Sequence, residues 1–267
     1  TVRSAENQTI TWSYLLQAKN AIIAFIRQPG YGEDRALTLV MAECMLLGGT
    51  RARICAAAMS QLFKINKDNP QARLLRQAAS IIRAGGVIVY PTDSGYALGC
   101  QIGDKEAITR IRRLKQLSPD HHFTLVCRDL SELSNYAHFD NRIYRLLRAY
   151  TPGPYTFILK GTSEVPRRLR NPKRKTIGMR VPDHVIAQAL LDELDEPLMS
   201  TTLLLPGETT PMIEPEAMSD VLGKHVDLII DGGYCGLEPT TVVDLTQGEP
   251  QVLRKGQGDI SPFITSV

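Results

Sequence analysis

The sequence predicts an α/β domain with a mixed sheet, on the basis of three observations. Segments with helical spacing alternate with short apolar runs from residue 68 to residue 254. Start and stop signals separate the two kinds of segment, as at Asp68-Asn69-Pro70 and Gly85-Gly86. The last two short runs are close enough to form an antiparallel hairpin. Alternating strands and helices are typical of α/β folds, and a terminal hairpin makes the sheet mixed.

The elements can be assigned in chain order. The first helix starts at Asp68-Asn69-Pro70, and one face carries Leu74, Leu75, Ala78, Ile81 and Ile82. Val87–Tyr90 predicts a buried strand, and the next helix follows Asp104, with Ala107, Ile108, Ile111 and Leu114 on one side. Further strands are predicted at 124–127, 155–159, 177–181, 198–202, 227–230, 241–245 and 251–254, and further helices at 140–150 and 183–193.

The composition limits the class of protein. The 267 residues are 43% hydrophobic and 22% charged, enough for an ordinary core and unlike a disordered chain. A net charge of +3 is too small to indicate nucleic-acid binding by itself. No apolar run is long enough for a membrane span, and the start lacks a signal-peptide pattern. The 5 cysteines are scattered without a CxxC pair, so we expect a reduced, cytoplasmic protein without a disulfide framework.

The character of the sequence changes near Met59. Residues 1–58 have a poor helical pattern, whereas Met59-Ser60-Gln61-Leu62-Phe63 resembles a fresh start. We therefore expect residues 1–58 to be a leader or extension of doubtful status and residues 59–267 to form the domain. A genuine helical extension is the alternative.

Several predicted strands end in polar loops, where open α/β sheets bind ligands. The first loop, Pro91–Cys100, carries Thr92, Asp93, Ser94 and Tyr96 beside glycines that let backbone approach a ligand. An ordinary polar turn would explain the same residues.

Three later loops repeat this pattern more weakly. Ser200-Thr201-Thr202 and the segment from Thr240 to Asp244 offer hydroxyls to phosphate or carboxylate oxygens, although the strand propensity of threonine is an alternative explanation. Arg254 ends the last predicted strand.

Two basic segments are further candidates. Arg112 and Lys115 share a helix face and could hold phosphate oxygens, although a solvated face is the usual explanation. A second cluster could contact RNA or a polyphosphate, or form a mobile solvated loop. It consists of Arg167, Arg168, Arg170, Lys173, Arg174 and Lys175.

The sequence has no Gly-x-Ser-x-Gly motif, no Walker-type glycine-lysine loop and no His-Glu-x-x-His motif, so we assign no catalytic residue and expect chemistry by positioning and charge neutralisation. His121 and His122 have no further ligands at metal-binding spacing, so we expect no metal held by the protein itself.

Taken together, the motifs resemble those of the YrdC/YciO family. Val89–Cys100 resembles its Pro-Thr-(Glu/Asp)-Thr-x-Tyr-Gly-Leu-Gly signature, and Thr151–Thr156 its Pro-Gly-Pro-x-Thr element. Arg180-Val181-Pro182, Thr240-Thr241-Val242 and Arg254-Lys255-Gly256 resemble its Arg-x-Pro, Ser-Thr-Val and Arg-x-Gly elements. The order is correct from about Met59 onward, and Phe123–Ser131 and Met199–Gly207 look closest to the YciO branch.

The resemblance implies a YrdC-like twisted mixed sheet with flanking helices and a large open cleft. It also implies synthesis of L-threonylcarbamoyl-AMP from L-threonine, bicarbonate and ATP with Mg²⁺, for threonylcarbamoyladenosine formation in tRNA. Substrate-binding residues would be Thr92, Tyr96, Lys115, Arg180 and Thr201. Nucleotide-binding residues would be Arg112, Ser200, Thr240 and Arg254.

The sequence departs from the family pattern at three places. The Lys-x-Arg element becomes Lys115-Gln116-Leu117, and Leu204 stands where an asparagine is expected, while Gly95 and Ala97 alter the first loop. The lost asparagine and the basic cluster at Arg167–Lys175 favour a second hypothesis, a protein that binds double-stranded RNA, tRNA or rRNA without synthase chemistry. An ATP-dependent carbamoyl transferase acting on another amine is a third.

Overall fold

A computed structural model describes residues 60–118, 121, 123–167, 169–171 and 173–264. The expected leader at 1–58 lies outside the described residues, and so do Arg168 and His122.

One mixed sheet of 11 strands forms the centre of the described region. In chain order the strands are β1 Gln61–Lys64, β2 Ile88–Thr92, β3 Gly95–Gln101, β4 Thr124–Val126, β5 Ala137–His138, β6 Tyr155–Gly161, β7 Thr176–Arg180, β8 Leu198–Thr202, β9 Leu228–Asp231, β10 Thr241–Asp244 and β11 Gln251–Arg254. Across the sheet the order is β1-β9-β2-β3-β8-β4-β7-β6-β10-β11, and β5 pairs with β6. The pairs β1–β9, β2–β9, β4–β7 and β6–β10 are parallel, and the other pairs are antiparallel.

Helices flank this sheet, as expected for the fold class. In the described residues they are α1 Ala72–Arg83, α2 Lys105–Leu114, α3 Leu130–Tyr136, α4 Asn141–Tyr150, α5 Val185–Leu194 and α6 Pro215–Leu222, followed by a 3₁₀ turn at Ser261–Phe263. Aspartates begin three of them: Asp104, Asp129 and Asp140 each accept a hydrogen bond from a first-turn amide. Such caps satisfy amides that have no partner inside the helix.

Two hydrophobic clusters lie on opposite faces of the sheet. On one face α1 and α5 pack with residues of β9, β2, β3 and β8 and with Val126 at the end of β4. On the other face α2, α3, α4 and α6 cover the sheet. Side chains alternate between the faces of a strand, so one strand contributes to both clusters, as Ile88 and Val89 do.

The layer formed by α1 and α5 covers only part of its face. Among the described residues, the cluster beneath these helices contains no residue of β7, β6 or β10. The corresponding side chains of those strands are therefore left without a helical layer, and they form the floor of a cleft.

The observed elements differ from the predicted ones in several places. Pro91–Cys100, predicted as a loop after a strand, is a β-hairpin in which Thr92 pairs with Gly95. The first helix begins at Ala72 instead of Asp68 because Asn66, Asp68 and Gln71 form a hydrogen-bonded turn before it. The sequence analysis did not predict β1, β5, α3 or α6. The C-terminal hairpin and the strand at Leu198–Thr202 are confirmed.

Among the described residues, no helix is long and apolar enough to cross a membrane.

Candidate functional site

A cleft of about 400 Å³ lies over the part of the sheet that α1 and α5 leave uncovered. Its lining combines hydroxyl groups, the three arginines Arg174, Arg180 and Arg254, and apolar side chains. Lining residues from the central strands are Thr124, Val126, Thr156, Ile158, Thr176, Gly178, Arg180, Ser200, Val242 and Asp244.

The strand register fixes the order of these residues across the floor. One row runs from Ser200 through Thr124, Gly178 and Ile158 to Asp244. Neighbouring strands lie about 4.8 Å apart, so this row spans about 19 Å. The floor is thus long enough for an elongated ligand that crosses several strands.

Gly178 leaves the middle of this floor without a side chain. A Cβ atom built at Gly178 would lie 3.3 Å from both Thr124 Oγ1 and Thr156 Cγ2. The hydroxyl of Thr124 and the methyl group of Thr156 therefore flank an open strip of backbone where a ligand can lie close to the sheet.

A buried ion pair occupies one end of the cleft. The hairpin turn between β2 and β3 holds Asp93 and Ser94, which contact Arg180 at the end of β7. Arg180 Nη1 donates to Ser94 Oγ at 2.8 Å, and Nη2 donates to Asp93 Oδ1. The side chains of Arg180 and Asp93 are only 9% and 11% exposed, so water screens this pair little.

The same pair retains unused polar atoms. Arg180 Nε and Asp93 Oδ2 are buried and have no hydrogen-bond partner within the described residues. Burial lowers the pKa of Arg180 and the neighbouring Asp93 opposes that effect, so the guanidinium stays charged. Leaving buried polar atoms without a partner costs free energy.

Thr92 and Tyr96 lie beside this pair, but their hydroxyls are already engaged. Thr92 Oγ1 donates to the Gly95 carbonyl at 2.6 Å. Tyr96 Oη donates to the Gly233 carbonyl at 2.8 Å and accepts from the Gly232 amide at 3.2 Å. Both residues line the cleft, and their hydrogen bonds stabilise the hairpin and the segment after β9.

Ser200 also lines the cleft with its hydroxyl in use. It accepts a hydrogen bond from Tyr90 Oη at 2.8 Å and donates to the Leu98 carbonyl at 3.2 Å. Burial raises the pKa of Tyr90 to about 12, so Tyr90 remains a donor in this bond. The single hydroxyl proton of Ser200 is therefore directed at Leu98, which leaves only acceptor capacity for a ligand.

Lys115 does not line the cleft but contacts two residues that do. Its Nζ donates to Thr201 Oγ1 at 3.1 Å and to the Thr202 carbonyl at 2.5 Å. Burial lowers the pKa of Lys115 to about 8. A substantial fraction of the Lys115 side chains therefore loses its positive charge near pH 8.

Arg254 and Thr240 meet at the edge of the cleft beyond β10. Arg254 donates from Nε and Nη2 to the Thr240 carbonyl, at 3.2 and 2.9 Å. Thr240 Oγ1 lies 2.8 Å from Thr156 Oγ1. Arg254 has no carboxylate among these partners, so its charge is available to an anion in the cleft.

Arg112 lies outside the cleft lining, over the ring of Phe123. Its guanidinium carbon is 5.5 Å from the ring centroid, and its Nε is buried without a hydrogen-bond partner within the described residues. Phe123 itself lines the cleft, and His121 contacts its edge with ring centroids 5.4 Å apart.

The predicted basic cluster is divided by the structure. Of its described members only Arg174 lines the cleft; Arg167, Arg170, Lys173 and Lys175 do not. The side chain of Arg170 packs instead near Gly161. Arg167, Lys173 and Lys175 are exposed on the segment between β6 and β7.

Of the positions that depart from the family pattern, Leu117 and Leu204 lie apart from the cleft lining, whereas Gly95 and Ala97 of the β2–β3 hairpin line it. Leu204 is half-buried just after β8, beside the buried Leu203. Leu117 packs against the core. Apolar packing thus replaces the polar groups that the resemblance leads one to expect at these two positions.

The described residues contain no group of three or more His, Cys, Asp or Glu side chains that could hold a metal ion.

The sequence analysis missed the floor of the cleft. Thr124, Thr156, Thr176 and Asp244 all line it, and the sequence analysis assigns none of these four residues to the site. The signal was polar residues at alternate positions of otherwise apolar strands, which is typical of a strand with one uncovered face.

Comparison with known proteins gives the family. The model of the Sua5/YciO/YrdC family, described as "Telomere recombination", matches residues 80–256. The "Uncharacterized protein YciO" of Escherichia coli is 62% identical over 77% of this chain and 100% of its own length. The threonylcarbamoyl-AMP synthase of Pyrococcus abyssi is 31% identical over 68% of this chain, and the match spans 54% of the synthase.

Solved structures agree with the sequence relatives. The crystal structure of E. coli YciO has a TM-score of 0.74 and covers 77% of this chain and 100% of its own. P. abyssi Sua5 in complex with L-threonine has a TM-score of 0.68 at 28% identity and covers 74% of this chain and 58% of its own. These matches confirm the predicted YrdC-like fold, and the chain belongs to the Sua5/YciO/YrdC family.

Proposed function

We propose that this chain binds L-threonine and ATP in its cleft and synthesises L-threonylcarbamoyl-AMP from L-threonine, bicarbonate and ATP. In the cell this product would serve threonylcarbamoyladenosine formation in tRNA. The similarity to a threonylcarbamoyl-AMP synthase supports the reaction, and the Sua5 structure with L-threonine supports the amino-acid substrate.

The observation that carries the proposal is the buried Arg180 at the cleft wall. Its guanidinium donates hydrogen bonds to Asp93 and Ser94, while its Nε has no hydrogen-bond partner among the described residues. A carboxylate is the natural ligand for an arginine presented in this way. Arg180 would therefore hold the threonine carboxylate.

The reaction needs no side-chain nucleophile. The threonine amine adds to bicarbonate to give a carbamate with loss of water. A carbamate oxygen then attacks the α-phosphorus of ATP, the bond to pyrophosphate breaks, and pyrophosphate leaves with its electron pair. Bound Mg²⁺ would neutralise charge on the phosphates. The protein contributes position and positive charge, from Arg254 and Lys115 at the phosphates and Arg180 at threonine.

The direct test measures pyrophosphate release and product mass with the full chain, ATP, Mg²⁺, bicarbonate and L-threonine. The double variant Lys115→Ala/Arg254→Ala is the control, because it removes the two cations assigned to phosphate. A product of the mass of threonylcarbamoyl-AMP that the double variant does not form supports the proposal. No product at substrate saturation rejects it.

A second candidate function is RNA binding without this chemistry. Its support is the group of exposed cations at Arg167, Lys173, Arg174 and Lys175 on one segment. Affinity for RNA that falls steeply with salt and does not change with ATP would favour this function. Loss of that affinity on replacing Lys173 and Lys175 with glutamine would locate the contact.

A further inference from the structure

Asp244 is the acidic side chain of the cleft lining in the part of the chain described here. It lies on β10 at the end of the row of floor residues that begins at Ser200, and it pairs with Ile158 of the neighbouring strand β6. Gly178 and Asp244 are two strands apart, or about 10 Å. Because Arg180 lies on the same strand as Gly178, Asp244 is well separated from the end of the cleft where Arg180 contacts Ser94.

The two oxygens of Asp244 differ in their surroundings. Oδ1 accepts hydrogen bonds from the Thr246 amide at 2.8 Å and from Thr246 Oγ1 at 2.6 Å. Oδ2 has a single cation nearby, Arg174 Nη1, at 3.9 Å, which is too long for a hydrogen bond. The bonds from Thr246 orient the carboxylate, so Oδ2 is a fixed acceptor in the cleft wall.

Charge decides which part of a nucleotide fits there. The carboxylate of Asp244 repels phosphate oxygens, whereas Arg254 attracts them. The surroundings of Asp244 also include the apolar side chains of Ile158, Val242 and the exposed Leu253. An uncharged group with an apolar body and a hydrogen-bond donor fits this end, as the nucleoside part of ATP does.

Donor and acceptor geometry narrows the choice further. Oδ2 of Asp244 can only accept, and the guanidinium of Arg174 can only donate. A hydroxyl both donates and accepts, so it can bridge the two, whereas an exocyclic amine of a base satisfies Asp244 alone. The side chain of Arg174 is 66% exposed, and its Nη1 lies 3.9 Å from Oδ2 of Asp244, on the same side of the cleft.

We propose that Asp244 binds the ribose of the nucleotide, with Oδ2 accepting a hydrogen bond from a ribose hydroxyl to which Arg174 donates. This inference rests on the proposed function, because it takes ATP as the ligand. It assigns Asp244 and Arg174 to nucleotide selection, a role separate from the reacting phosphate.

The test compares the affinities of ATP, 2′-deoxy-ATP, 3′-deoxy-ATP and inosine triphosphate for the full chain by calorimetry. Wild-type protein should bind one deoxy analogue about ten- to a hundredfold more weakly than ATP, as expected for a hydrogen bond to a charged group. Asp244→Asn should weaken ATP binding and reduce the discrimination to less than about threefold. Asp220→Asn, on the exposed side of α6, is the charge-matched control.

Several results would overturn the inference. One is equal affinity of wild-type protein for ATP and both deoxy analogues, a result that does not depend on how any variant folds. Another is discrimination against inosine triphosphate alone, which would place the base at Asp244. A ribose preference without product formation would support the inference and reject the synthase; product formation without a ribose preference would do the reverse. Absence of ATP binding would reject both.

Discussion

Replacing Asp93 with alanine should strongly destabilise the protein, because it leaves the Arg180 guanidinium buried without its carboxylate. Both side chains are about a tenth exposed, at 9% and 11%, so the bulk-water value for an ion pair does not apply. Removal of one partner of a buried pair costs about 3–5 kcal/mol. For a domain of this size that loss lowers the melting temperature by about 6–20 °C.

The measurement is urea unfolding followed by circular dichroism, with Asp93→Ala compared with Glu216→Ala. Glu216 pairs with Lys64 on the surface, where both side chains are more than half exposed, so its loss should leave the midpoint almost unchanged. The double variant Asp93→Ala/Arg180→Met also removes the buried charge. Its decrease in the free energy of unfolding should be smaller than the sum of the decreases caused by the two single substitutions. A cost below about 1 kcal/mol for Asp93→Ala would show that water screens the pair, and would refute the reasoning.

Three further predictions follow from contacts in and near the cleft. Burial lowers the pKa of Lys115 to about 8. Between about pH 8 and 10 the unfolded chain therefore binds more protons than the folded protein, and the stability should rise with pH in this range. The affinity of the folded protein for anions should fall over the same range, because Lys115 loses its charge. Tyr90→Phe should cost about 0.5–1.5 kcal/mol because Ser200 loses its donor. Gly256→Ala should lower the free energy of unfolding, because the added Cβ would clash with the Pro239 carbonyl oxygen.

Each of these has a direct readout. For Lys115, unfolding midpoints and pyrophosphate affinity are measured against pH, with Lys115→Met as the control; the same pH dependence in that variant would contradict the assignment. For Tyr90→Phe and Gly256→Ala, urea midpoints are compared with wild type. A stability unchanged by Tyr90→Phe would mean that water replaces the hydroxyl, and wild-type stability of Gly256→Ala would mean that the Pro239 carbonyl moves aside.

The sequence was sufficient for the fold class and for one end of the cleft. Alternating helices and strands gave the α/β class, and the motif at Pro91–Cys100 located Thr92 and Tyr96 at the cleft. The sequence analysis places this motif in a loop, whereas the structure shows a hairpin despite Pro91 and two glycines, residues that disfavour strands. Proline is tolerated there because the pairing of β2 with β9 ends at Val89, and beyond it β2 is an edge on that side.

The remaining cleft residues could not be predicted from local patterns. Thr124, Thr156 and Asp244 become a floor only because α1 and α5 stop short of β7, β6 and β10. Where a helical layer ends depends on packing between distant segments, and spacing along the chain does not contain this information. Likewise, the separation of Arg174 from Lys173 and Lys175 depends on the turn that Asn171 Oδ1 closes with the amides of Lys173 and Arg174.

The row across the cleft floor joins parts of the chain that are synthesised far apart. Thr124 on β4 and Asp244 on β10 are 120 positions apart, and β10 pairs in parallel with β6 only after the chain has passed residue 244. Parallel pairing between distant segments is slow because the intervening loop must first close. The cleft is therefore among the last features of the domain to form during synthesis, and a nascent chain cannot bind ligand there before its final strands are in place.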